Sequence, residues 1–219
     1  MSATDGDIGT VKDFYFEDSS WIVRYLVIET GEWLNNRSVL ISPDAHLTPD
    51  WKNKNFPINL SKEQIKNSPD IDTELPVSRQ QEIKMYDHYA LEKYWRGGFV
   101  AGGMPLPMNE AMIKEDDEIS NKKTNDDQHL RSIEKVIGYG VKAIDGTIGK
   151  IKDFIIDDTN WNIDFIVVET GNWFSEKNVI ISPQIVKDIK WDISELILNI
   201  NVEQVKDSPE YDKSELWMI

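Results

Sequence analysis

The chain has 219 residues, no cysteine, 40% hydrophobic residues and a formal net charge of −15. Disulfides, thiolate nucleophiles and Cys-ligated metals are excluded, and acid spread along the chain with no basic run argues against direct nucleic-acid binding. No apolar stretch approaches the roughly 18–20 residues of a membrane span, and no signal-peptide pattern opens the chain, so a soluble, cytoplasmic protein without membrane insertion is expected.

Residues 5–72 and 145–212 match at a constant offset of 140 without a gap, with 26 of 68 positions identical. A tandem duplication follows, and it organises everything else. In the first copy, Gly9–Glu17 and Trp21–Glu29 are rich in β-branched and aromatic residues and flank the turn Asp18-Ser19-Ser20. They read as a β-hairpin. Period-2 alternation puts Trp21, Val23, Tyr25 and Val27 inward, with Trp161, Ile163, Phe165 and Val167 inward in the second copy. A turn at Thr30-Gly31, a strand over Arg37–Ile41 and shorter strands at Trp51 and Phe56–Leu60 follow. Ser61 and Gln64 then open a short helix as a capping box, matched by Asn201 and Gln204, and Ser68-Pro69 closes it.

Between the copies, Ser78–Tyr94 reads as a helix with Ser78 and Gln81 as its capping box and Ile83, Tyr86, Ala90 and Tyr94 on one face. Residues 96–128 turn Gly/Pro-rich and then strongly charged, the composition of a flexible linker. The second copy carries a leading segment, Val136–Ile144, that reads as its first strand, and its counterpart in the first copy is expected to fall before Met1. The first copy is therefore expected to lack or borrow that strand, or the chain to be truncated at its start, and truncation or an alternative start is preferred.

The pattern IGxxKDFxxDD, then Trp, VxETGxW and VxIS-P, ending in EQxKxSPxxD, stands over Ile8–Pro43 and Glu63–Asp72 and again over Ile148–Pro183 and Glu203–Asp212. It resembles the PRC-barrel domain family, whose relatives include the cytoplasmic domain of the photosynthetic reaction centre H subunit and the C-terminal domain of RimM-type ribosome maturation factors. The segment Pro76–Glu82 looks like the linker of bacterial proteins made of two such barrels. The resemblance implies a mainly all-β chain: two small PRC-type β-barrels in tandem, spanning 1–76 and 134–219, joined by a helix and a flexible linker over 77–133. It implies a non-catalytic binding or scaffold protein that docks onto a protein assembly, with no shared catalytic residues and no cofactor. A regulator of a membrane electron-transfer complex, resembling the H subunit, is the alternative it suggests.

No catalytic, cofactor or metal residue emerges from the sequence. Asp13/Asp153 and Glu29/Glu169 recur in both copies, and an enzyme using such carboxylates is the rival from another class. Recurrence in both copies fits folding roles better. Glu17 with Asp18, and Asp157 with Asp158, lack the spacing of a calcium loop. His46, His88 and His129 are scattered, and Gly97, Gly98, Gly102 and Gly103 form no phosphate cradle. The candidate partner-binding residues are Trp33 and Trp173, after the Thr-Gly turns, and Tyr86, Tyr89, Tyr94 and Trp95, which have no match in the second copy. The expected partners are proteins of unknown identity, and a homodimer is a candidate arrangement.

Overall fold

The structure is a computed structural model describing residues 1–50, 52–69, 79–90, 130–171 and 177–211. It divides into two compact units, Met1–Tyr15 with Arg24–Arg131, and Phe16–Val23 with Ser132–Ile219. Trp51, the Ser78 cap, the linker over 96–128 and the Gly-rich stretch within it lie outside the described residues.

The elements wholly or mainly in the first unit are β1 (Ser2–Ala3), β2 (Gly6–Asp7), β3 (Thr10–Glu17), β4 (Ile22–Glu29), β5 (Ser38–Ile41), a short helix α1 (Lys62–Lys66), a longer helix α2 (Arg79–Tyr89) and β6 (Leu130–Ser132), while the β3–β4 tip, Phe16–Val23, and Ser132 count with the second. β5, β4, β3 and β6 lie side by side in that order. The second unit forms α3 (Ile133–Val136), β7 (Gly140–Lys142), β8 (Thr147–Ile156), β9 (Ile163–Thr170), β10 (Asn178–Ile181), β11 (Val186–Lys190), β12 (Glu195–Leu198) and α4 (Val202–Lys206). Its six strands run in the order β10-β9-β8-β7-β12-β11, with β12 and β7 parallel. The architecture is β-rich.

The 140-residue offset reproduces the pairing residue by residue. In the second unit Val186 faces Leu198 and Lys190 faces Glu195, and in the first His46 faces Ile58 and Asp50 faces Asn55. Lys142 pairs in parallel with Ile197, as Ser2 does with Pro57. Ser2–Ala3 is thus the counterpart of Lys142–Ala143, and the first repeat does hold the inner end of the strand expected to be missing. The sequence reading asked for nine residues where two make the ladder. β6, from the segment just before the second repeat, lies next to β3 in the sheet.

The residues that both copies keep have visible jobs. A Cβ on Gly9 would sit 2.0 Å from the Glu29 carbonyl oxygen, and one on Gly149 would sit 1.9 Å from that of Glu169. Only glycine lets the two strands approach so closely. Thr30 and Thr170 are buried, and each hydroxyl donates across a seven-residue turn, to the Arg37 carbonyl at 2.7 Å and the Lys177 carbonyl at 2.9 Å. Each hairpin loop ends in a tryptophan with positive φ whose N–H closes the turn: Trp21 on Glu17, Trp161 on Asp157. The capping boxes at Ser61/Gln64 and Asn201/Gln204 are both formed. Asp5 and Asp145 each accept the next helical N–H, from Lys62 and Val202, at 2.8 Å. Two orphan donors are satisfied at each helix start.

The hairpin alternation differs from the sequence reading. In β4 both faces are buried, Leu26 and Ile28 as well as Val23, Tyr25 and Val27. In β9 Phe165, expected inside, is 38% exposed. Bulges between Ile151 and Asp153 and between Ile155 and Ile156 interrupt the period-2 register there.

Candidate functional site

α2 lies against a sheet face of the first unit and defines the most developed polar cluster in it. It buries Glu82, Met85, Tyr86 and Tyr89, spaced i, i+3, i+4 and i+7. This face is rotated from the expected one: Ala90, assigned to it, is exposed and has positive φ just past the helix end. The Tyr86 ring meets Tyr25 edge-on, with centroids 6.3 Å apart. The Tyr25 hydroxyl donates to Glu82 Oε1 at 3.3 Å. Glu82, fully buried, is the functional-looking residue the sequence reading missed. A Glu on an exposed-looking Arg-Gln-Gln-Glu stretch gives no signal of burial, and acids are rarely buried without partners.

Burial pushes the Tyr86 hydroxyl up to about 12, while a hydrogen bond with Ser42 partly opposes it. Tyr89 is also raised by burial, with Ser68 and the Arg37 guanidinium pulling the other way. Arg37 Nη2 in turn donates to the Pro69 carbonyl at 3.0 Å, tying the turn after α1 to the strand edge. His88 Nε2 lies 2.8 Å from the Gln64 carbonyl. The face is held by Tyr25 and Ser42 from the sheet and by the Gln64 carbonyl from the α1 region.

The 140-residue offset turns these residues into Phe165, Ser182, Gln204 and Ser208. Tyr25 is 1% exposed and Phe165 38%. Ser42 and Ser68 are buried, whereas Ser182 and Ser208 are half-buried. Leu40 is buried and its counterpart Ile180 is half-buried. Asp13 is buried and Asp153 exposed, although each carboxylate accepts its neighbour's N–H at 2.8 Å. The second repeat therefore presents to solvent the face that α2 covers in the first.

Of the six candidate partner-binding residues, the structure places three. Tyr86 and Tyr89 are buried, docking α2 rather than facing a partner. Trp33 is half-buried, its indole N–H donates to the Ile8 carbonyl at 2.6 Å, and the Lys62 ammonium lies 5.2 Å from its ring centroid. Trp173, Tyr94 and Trp95 lie outside the described residues.

Glu29 and Glu169 are exposed, and Glu169 pairs with Lys152 at 3.1 Å. Glu17 accepts from Ser20 at 2.7 Å. Asp157 is held low by the Thr159 hydroxyl and N–H and by Asn160, all within its own turn. His46 packs on Phe56 with centroids 5.6 Å apart, His88 meets the Gln64 carbonyl, and His129 lies outside the described residues. Among the described residues no three His, Cys, Asp or Glu side chains are grouped to hold a metal ion. An open cleft of about 320 Å³ within the second unit is lined by Asp18, Trp21, Lys187, Asp188 and Trp191. Lys190 already pairs with Asp188 at 2.5 Å.

No helix among the described residues is long and apolar enough to cross a membrane. The fold is that of a β-rich chain built from small barrel-like domains. Residues 129–197 match the PRC-barrel domain family. The first repeat, outside that match, is tied to it by the shared register. No curated protein matches the chain.

Proposed function

We propose that the chain is a non-catalytic interaction protein that docks onto a protein assembly, in the cytoplasm, through its PRC-barrel architecture. The observation that carries this reading is the open face around Phe165. A 38% exposed phenylalanine flanked by half-buried Ile180 and Ile155 is apolar surface left to solvent by the fold itself. The domain match over 129–197 supports a protein-interaction role. The positions held identical in both repeats also support it, because they close turns, cap helices and permit strand contact rather than assemble a reacting centre.

Crosslinking in the native cell followed by size separation tests the proposal. The full chain should migrate in an assembly well above its own 25.3 kDa, joined to other proteins in fixed ratio. Migration at its own size with no crosslinked protein would contradict it, and an association of two copies alone would replace it with a homodimer.

A further inference from the structure

We propose that the Phe165 face binds an amphipathic helix of a partner protein, in the position α2 takes on the first repeat, with a Lys or Arg where α2 has Glu82. This deepens the interaction role proposed above and rests on it. The first repeat supplies the template. There a helix with side chains at i, i+3, i+4 and i+7 covers Tyr25 and brings its hydroxyl to Glu82. At equivalent places the second repeat keeps the aromatic ring and the serines, with Phe165 exposed and Ser182 and Ser208 half-buried.

The charges fix the occupant's chemistry. α2 itself does not suit this face. Phe165 lacks the hydroxyl that Tyr25 gives to Glu82, so a buried Glu there would lose a donor. Arg24, whose positive charge acts on Tyr86 beside Glu82, is replaced by Asp164, and Asp153 is exposed on the same strand pair. An acid at the Glu82 position would meet like charge, and a base would meet opposite charge. A long basic side chain can also cover the Phe165 ring with its methylenes while its head reaches Asp164. The remaining anchors follow α2, with apolar or aromatic residues at i+3, i+4 and i+7.

The test uses the full chain and two synthetic peptides with the sequence of Arg79–Ala90, one unaltered and one carrying Glu82→Lys. Fluorescence anisotropy should show the Lys peptide binding at least ten-fold more tightly than the unaltered one. Phe165→Asp in the chain should abolish binding of the Lys peptide. Asp164→Lys, a change at an exposed position, should reverse the preference between the two peptides. Equal affinities, a preference that Asp164→Lys leaves unchanged, or no binding of the Lys peptide would overturn the proposal. Removing residues 213–219 should leave the affinity unchanged. A ten-fold gain on that removal would assign the face to the chain's own C-terminal segment instead. If native crosslinks join the chain to a partner only at residues away from β9 and neither peptide binds, this site fails while the interaction role stands.

Discussion

Tyr25 and Phe165 stand at equivalent places in two repeats that share their strand register, yet one is sealed and the other is open. The difference does not come from the strands. It comes from α2, which belongs to neither repeated segment and carries Tyr86 and Glu82 onto the first face. Moving an aromatic ring of roughly 200 Å² from 38% to 1% exposure contributes on the order of 2 kcal/mol, enough to hold a helix that is short by itself. Duplication made two copies of a face, and only one received a cover within the described chain.

Substitutions can break this comparison at the shared scaffold or at the point of divergence. The largest effect is expected where the repeats agree. Gly9→Ala and Gly149→Ala each force a Cβ into a carbonyl oxygen, and each should cost at least about 3 kcal/mol in denaturant unfolding. Similar losses from both would show that the two repeats use one construction. Tyr86→Ala should cost about 3 kcal/mol by emptying the contact with Tyr25. Its proteolysis pattern should show cleavage near Arg79–Tyr89 that is expected to be absent from the intact chain, where α2 buries Tyr86 and Tyr89.

Alkali should act on the same contact. The Tyr86 hydroxyl, raised by burial from 10 to about 12, binds its proton more tightly when folded than when unfolded. Its contribution is complete below pH 10 and is lost as pH rises from 10 through 12, by about 2 kcal/mol. Tyr86→Phe should flatten that part of a stability–pH curve measured by denaturant titration. Tyr25→Phe, which removes one donor to Glu82, should cost about 1 kcal/mol. At the open face, Phe165→Asn should stay within about 0.5 kcal/mol of the parent, because the ring has no cover to lose.

The duplication, the hairpins, the Ser61/Gln64 cap and the glycines were legible because they depend on residues near one another in sequence. What escaped depends on distant contacts. The inward face of β4 could not be told from alternation, since α2 buries Tyr25 from the side that would otherwise meet solvent. Phe165 is exposed because no helix of the described chain covers it, and whether a face receives a cover leaves no mark in the alternation of β9 itself. Ser2–Ala3 was overlooked as a strand because two residues show no periodicity. Glu82 was unreadable as a buried residue because its burial depends on a tyrosine 57 positions earlier.

The central claim, one covered face and one open copy of it, is tested most directly by thiol accessibility, since the chain has no cysteine of its own. Ser42→Cys and Ser182→Cys are near-isosteric changes at equivalent positions, each serine capping the same kind of turn. With a maleimide reagent under native conditions, Ser182→Cys should label at close to the rate of a half-exposed thiol. Ser42→Cys should label at least a hundred-fold more slowly, and should become fast when combined with Tyr86→Ala. Equal labelling rates for the two single variants would contradict the account.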